Sequence, residues 1–301
     1  MGINRRNAEF ISRYNPRRLY PVVDDKLITK RIAEKAGIAV PELIGVIRTQ
    51  RQVRDLETIL AGAKDFVIKP ASGSGGKGLV VISGRLRGAF REIDGHIITE
   101  EALAYHVINI LSGIYSLGGH DDKALIERRV VFDPVFDKIS YLGVPDIRII
   151  VFLGVPVMAM VRLPTKASRG KANLHQGAIG AGICVAKGET IGAVWRNDII
   201  TEHPDTGESV IGVKIPLWEQ LLKLAASSYE LTGLGYQGVD IVLDKDRGPL
   251  ILELNARPGL NIQIANFAGL LPRLRVVQAR AKELTNMEER IALANSFAHS
   301  A

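Results

Sequence analysis

The run DFVIKPASGSGGKGLVVIS, residues 65–83, constrains this chain more than any other stretch. DFVIKP and LVVIS both read as strands, so the glycine-rich segment from Ser72 to Gly78 joins strand to strand. Gly73, Gly75 and Gly78 fit G-x-G-x-x-G, but the dinucleotide-binding fingerprint requires a helix after the turn, and a strand follows here. A Walker loop fails as well, because Ala71 stands in the segment's approach and Gly78, not Ser or Thr, follows Lys77. A glycine loop between strands can instead lie over a triphosphate, since backbone N–H groups unobstructed by side chains approach the oxygens. Protein kinases use such a loop, yet no H-R-D-L-x-x-x-N or D-F-G sequence occurs downstream. Lys69 ends the first strand directly before Pro70; alone it would read as an exposed strand-end lysine, but beside this loop its ammonium is placed to meet phosphate.

A second constellation lies in GVDIVLDKDRGPLILELNARPGL. Asp240 sits in one expected strand, and Glu253 and Asn255 share a face of the next, so a hairpin brings three oxygen donors together. Two carboxylates and an amide suit Mg²⁺ (or Mn²⁺), which takes a few protein oxygens and completes its shell with substrate phosphates. The competing reading, a pair of strand-edge acids, is weak for a glutamate inside the apolar run ILELN.

Composition narrows the class. With 301 residues and 47% of them hydrophobic, the chain can bury a full core, and its one cysteine, Cys184, forbids an intrachain disulfide or a cysteine zinc cluster. Cys184 in AGICVA reads as a small buried apolar residue, and a reducing, cytoplasmic setting is expected. The start MGINRRNAEF does not read as a secretory signal. The longest apolar stretch, Ile149 to Val161, is broken by GVP and reads as two buried strands rather than a membrane span. The net charge of +7 is concentrated at the start, where Arg5, Arg6, Arg13, Arg17 and Arg18 face only Glu9. That segment reads as a solvated or partner-docking arm; nucleic acid is not expected, because no stacking platform or helix-turn-helix accompanies it.

Along the chain, DDKLITKRIAEKAG predicts a helix capped by Asp24 or Asp25, with Leu27, Ile28, Ile32 and Ala36 on one face and Gly37 as its stop. Helices are also expected over RQVRDLETILAG, residues 99 to 114, and Leu217 to Thr232. PDIRIIVFLG and VPVMAMVRL read as strands, PTKASRGKANLHQGAIGAG as a polar loop and ICVA as a strand. The tail from Phe267 shows no core face beyond Glu289.

In this order DKLITK, AGIAVP, FVIKP with SGSGGKG, ALIERRV, PDIRIIV, GVDIVL and ELNARPG resemble the ATP-grasp superfamily over about residues 22 to 265. PDIRIIVFLGVPVMAMVRL and KANLHQGAIG are similar to RimK-like alpha-L-glutamate ligases. The resemblance implies an α+β, two-lobed ATP-grasp fold holding ATP between its lobes: an arm at 1–23, one lobe at 24–126, a second at 127–265 and a helical extension at 266–301. It implies that Lys30, Lys69, Ser72, Gly73, Ser74, Gly75, Gly76, Lys77 and Gly78 serve the phosphates and that Glu127, Arg129 and Val130 flank adenine. Asp240, Glu253 and Asn255 match the magnesium ligands. Arg148, Arg162, Arg257 and Asn173 match positions around the reacting groups, with Arg169, Lys171 and His175 beside them toward substrate; a solvated loop is the competing reading of those three. Arg257 departs from the small residue many such ligases carry.

The implied activity is an ATP-dependent carboxylate–amine ligase that passes through an acylphosphate and joins an amino acid such as glutamate to a peptide or small carboxylate. Two alternatives are a kinase on the same fold and a nucleotide-binding partner protein without turnover. Members usually carry a further N-terminal α/β domain, and its place here is taken by the arginine-rich segment, so the expectation is that either the substrate site is built differently or a second copy or another chain contributes to it.

Overall fold

The computed structural model describes residues 1–73, 75–116 and 118–297. The chain folds as two compact units, one of Asp25–Leu27 with Pro41–Val130, the other of Met1–Asp24, Ile28–Val40 and Val131–Ala301.

Helix α1 is Lys26–Lys35. Asp25 caps it by accepting the Leu27 amide at 2.8 Å, and Gly37 follows its end with φ +71°, a left-handed conformation that only glycine adopts cheaply. Its buried positions are Leu27, Thr29, Lys30 and Ala33, so the helix is turned from the expected face and Ile28 is left exposed. Thr29 Oγ1 donates to the Val22 carbonyl, which fixes that rotation.

The smaller unit is a six-stranded antiparallel sheet made of β1 (Leu43–Ile47), β2 (Phe66–Pro70), β3 (Val80–Leu86), β4 (Ala89–Glu92), β5 (Ile97–Thr99) and β6 (Ala124–Glu127), in the order β1-β6-β2-β3-β4-β5. Helix α2 (Glu100–Leu111) starts at Thr99, whose side chain accepts the Ala102 amide. It packs Leu103, Val107, Ile110 and Leu111 with Phe66, Ile68, Ile82 and Phe90. The helix expected over RQVRDLETILAG is instead a 3-10 segment, Gln50–Asp55, followed by one helical turn, Leu56–Ile59. Thr49 and Gln52 form a reciprocal capping box at its start.

The larger unit carries a seven-stranded antiparallel sheet, in the order β11-β10-β9-β8-β7-β12-β13. Its strands are β7 (Asp146–Phe152), β8 (Val155–Leu163), β9 (Ile179–Cys184), β10 (Glu189–Trp195), β11 (Asp198–Ile200), β12 (Tyr236–Asp244) and β13 (Gly248–Asn255). Strand β9 opens at Ile179, ahead of the expected ICVA, because Gly180 and Gly182 are strand residues that let a covering segment approach the backbone. Helix α3 (Trp218–Thr232) closes on Gly233, at φ +70°. Helices α4 (Leu270–Arg280) and α5 (Met287–Asn295) follow β13.

Two sequence expectations are corrected in this unit. The first residues are not a free arm: Phe10 is fully buried, edge-on to Phe152 at 5.5 Å, and Ile11 and Val23 join the same core. Of the arginines, Arg6 is buried and donates to the Pro258 carbonyl, while Arg5 and Arg275 of α4 pair with Glu9. The tail also has a core face, with Ile291, Leu293, Ala294 and Phe297 buried and α5 packed on α3 and β8. Among the described residues, no helix is long and apolar enough to cross a membrane.

Candidate active site

In the larger unit the register of four strands gathers the charged residues. Asp240 on β12 lies opposite both Glu253 on β13 and Arg148 on β7, and Asp146 on β7 lies opposite Arg162 on β8. Directly opposed residues share a sheet face, so five charged side chains meet on one side. The β12–β13 register shifts only past Asp240, at Ile241, so Asn255, two residues beyond Glu253 and opposite Gly238, keeps the same face.

Arg148 grips Asp240 with two parallel bonds, Nε to Oδ1 at 2.7 Å and Nη2 to Oδ2 at 2.6 Å. Arg162 donates to Asp240 Oδ2 at 2.9 Å and makes a two-pronged pair with Asp146. Asn255 Nδ2 lies 3.4 Å from Asp240 Oδ2. Burial alone would raise the Asp240 carboxyl, but the guanidinium groups of Arg148 and Arg162 overrule it and hold the group well below the usual carboxylate range. Asp146 goes the other way: its burial outweighs the pull of Arg162 and pushes it up. Burial works against the Arg162 charge, but Asp146 and Asp240 raise its pKa regardless.

Metal ligands must be deprotonated, and Asp240 is held so. Two carboxylates and an amide at one end of a hairpin are hard oxygen donors, and they leave coordination positions for phosphate, so the donor set fits a divalent cation of the Mg²⁺ class. Among the described residues no three His, Cys, Asp or Glu side chains group as a metal cluster.

Around this face, Arg257 lies over the Tyr20 ring at 5.1 Å, and the N-terminal residues brace the loop that carries it. Asn15 donates to the carbonyls of Tyr236 and Ala256, its Oδ1 accepts the Tyr236 amide, and Arg6 holds Pro258. Among the described residues the buried Tyr236 hydroxyl has no hydrogen-bond partner, and burial pushes its pKa up. Lys30 is buried in this unit. Asn173 accepts the His175 amide at 3.0 Å, while Arg169, at φ +51°, and His175 are exposed. Among the described residues no hydrogen bond or ion pair joins Arg169, Lys171 or His175 to the Arg148–Asp240 cluster.

In the smaller unit Lys69 is buried at the end of β2, and its Nζ lies 2.7 Å from Glu127 Oε2 on β6. Arg129 pairs with Asp65 at 2.9 Å, and Val130 is buried. The glycine segment is held at both ends. The Ser72 amide donates to Asp122, Lys26 Nζ donates to the Gly73 carbonyl, and His106 Nε2 meets the Gly78 carbonyl at 3.0 Å. Gly75, Gly76 and Gly78 have φ of +64°, +71° and +72°, and a Cβ at Gly78 would strike Tyr115 at 2.6 Å, so this position requires glycine twice over. Lys77 is exposed, and Ser74 lies outside the described residues.

Asp146, Asp122, Arg6 and Asn15 were not singled out by sequence. Asp146 could have been, because it stands two residues before Arg148 and alternation puts the two on one strand face. Asp122 and Asn15 act on backbone groups far away in sequence, and no local pattern marks such contacts.

The profile of the sugar-transfer associated ATP-grasp family matches residues 5–279, nearly the whole chain and including most of the N-terminal segment. The chain belongs to that family. A probable alpha-L-glutamate ligase of Pectobacterium carotovorum is 25% identical over 241 residues, covering 78% of this chain and 56% of that protein. A ribosomal protein bS6–L-glutamate ligase of Salmonella newport is 24% identical over the same shares. The chain thus spans little more than half the length of these curated relatives. The ATP-grasp ligase PsnB, solved with a minimal precursor, Mg and ADP, is 16% identical, with a TM-score of 0.49 over 89% of this chain and 62% of PsnB. Two antiparallel sheets with flanking helices make this member an α+β ATP-grasp protein, as the sequence resemblance implied.

Proposed function

We propose that this chain is an ATP-dependent carboxylate–amine ligase, which converts a carboxylate to an acylphosphate with release of ADP and then lets an amine displace phosphate. The observation that carries this reading is the single sheet face on which Arg148 and Arg162 stand against Asp240, Glu253 and Asn255. Two guanidinium groups beside a cation site suit a reaction in which a carboxylate meets a phosphate, because both reactants and the transferring phosphoryl group are anionic. Family membership supports it, and two of the relatives are named as glutamate ligases.

In this reading Asp240, Glu253 and Asn255 hold Mg²⁺, which when bound neutralises charge on the β- and γ-phosphates. Lys30, Lys69 and the amides of Ser72–Gly78 bind the phosphate oxygens. Backbone groups at Glu127, Arg129 and Val130 contact adenine. Arg162 and Arg148 orient the incoming carboxylate and offset negative charge as the acyl–phosphate bond forms, with Arg257 adding a further positive charge. Asn173, Arg169, Lys171 and His175 face substrate. The amine loses its proton as it attacks, and phosphate leaves with the bonding pair.

Mass spectrometry of products formed from Mg-ATP, pooled amino acids and a peptide or metabolite pool, with ADP quantified alongside, tests this. A condensed product with equimolar ADP is expected, and Glu253→Ala should abolish both. A phosphorylated product with no added amine would replace ligation by a kinase reaction, and wild-type turnover by Glu253→Ala would end the metal assignment.

A further inference from the structure

A cavity of about 430 Å³ opens in the larger unit, on the same sheet face as the arginine–carboxylate cluster. Register establishes the shared face. Asp146 opposes Arg162, Arg162 opposes Gly180, and Gly180 opposes Val194, which lines the cavity. At Gly180 and Gly182 the strand offers no side chain of its own, and Leu174 and Ala265, both cavity walls, cover Gly180. From β8 to β10 is two strand spacings, about 9.5 Å.

Arg196 is the one lysine, arginine, aspartate or glutamate in the lining, and His175 and the carboxamides of Gln176, Asn197 and Asn261 accompany it. Arg196 lies over the Trp195 ring at 4.8 Å and makes no ion pair among the described residues. The side chains of Asn197 and Asn261 bond to no protein group there either. Arg196, Asn197 and Asn261 are exposed, but they line one hollow whose walls carry no carboxylate, an arrangement that can receive an anion with hydrogen-bonding groups.

We propose that this cavity binds a small organic acid, its carboxylate on Arg196 and its polar groups on Asn197 and Asn261. The volume suits a molecule of amino-acid to dipeptide size. That the acid is a substrate of ligation rests on the function proposed above; its binding does not, because Arg196 acts without nucleotide.

Trp195 gives the readout. Its indole donates to the Gly177 carbonyl on the cavity wall, and Trp218 is the chain's one other tryptophan, so Trp218→Phe in the full chain leaves a single local fluorophore. Glutarate, titrated at constant ionic strength, should change Trp195 emission saturably, and its neutral counterpart glutaramide should not. Arg196 has φ +51°, a conformation asparagine tolerates, so Arg196→Asn removes the charge and keeps the turn. It should weaken glutarate binding about tenfold or more. Asn261→Ala should weaken it from the opposite wall. Absence of saturable binding, equal binding of glutaramide, or unchanged affinity in Arg196→Asn would each overturn the proposal. ADP release from Mg-ATP, measured separately, judges the ligase reading, so the failure of one is told apart from the failure of the other.

Discussion

Replacing Asp240 with asparagine tests the physics of the site before any substrate is added. The wild-type carboxylate accepts two bonds from Arg148 and one from Arg162, at side-chain exposures of 4%, 14% and 12%. Breaking a buried pair by removing one partner costs about 3–5 kcal/mol, because the surviving charge stays desolvated. Arg162 keeps Asp146, so the orphan is mainly Arg148, and the expected loss for Asp240→Asn lies near the lower figure, about 3 kcal/mol. Both tryptophans, Trp195 and Trp218, belong to the larger unit, so urea unfolding followed by tryptophan emission reads the unit that contains the cluster. The companion variant, Arg148→Met with Asp240→Leu, removes both charges and should recover stability to within about 1 kcal/mol of wild type, since a buried ion pair roughly balances its own desolvation.

The pH dependence has a definite sign. Asp240 titrates lower in the folded chain than in the unfolded one, so its contribution is complete above the unfolded carboxyl value of about 3.9 and is lost as pH falls toward the folded value. The stability gap between wild type and Asp240→Asn should therefore shrink below about pH 4. A gap under about 1 kcal/mol at neutral pH, or one that fails to shrink below about pH 4, would refute the reasoning.

Two further perturbations probe the elements that hold the site. Phe10→Ala removes a fully buried ring set against Phe152 and should cost about 3–5 kcal/mol by the same tryptophan-detected unfolding, whereas a solvated arm would lose almost nothing. Asp122→Ala takes away the acceptor shared by the amides of Ser72 and Lys123 and the Ser116 hydroxyl, so Ser72 amide exchange should quicken by an amount equivalent to about 1–3 kcal/mol; unchanged protection would deny Asp122 its hold on the glycine segment.

Much of the framework is legible in the sequence because it is written in local pattern. Strands β2, β3, β12 and β13 announce themselves by apolar runs bounded by Gly and Pro, and period two alone puts Glu253 and Asn255 on one face. What escaped depends on contacts distant along the chain. The face of α1 is set by a threonine bond to Val22, not by apolar spacing, and it buries Lys30 where Ile28 was expected. Strand β9 begins early because its glycines accept a covering backbone, whereas glycine in sequence reads as a loop. The arginine-rich start misleads for a related reason: a count of charges cannot tell that Arg6 bonds a carbonyl 252 residues away while Phe10 enters the core beside it.

The N-terminal segment and the glycine strip then serve the site as parts of one arrangement. Asn255 is followed at once by Ala256, Arg257 and Pro258; Asn15 holds the carbonyl of the first and Arg6 that of the last, so the exit of the strand that carries Glu253 and Asn255 is clamped by residues from the opposite end of the sequence. Beyond that clamp the chain turns into the short helix Ile262–Ala265, whose last carbonyl lies over Gly182 so closely that a Cβ there would sit 2.3 Å from it. A side chain at Gly182 would lift this helix and with it Asn261 and Ala265, two walls of the cavity. The strand that supplies Glu253 and Asn255 and the segment that shapes the neighbouring hollow are therefore one continuous piece of chain, fixed by Arg6 and Asn15 at one end and by Gly182 at the other. Position in the cluster and shape of the cavity are set together by that one piece of chain.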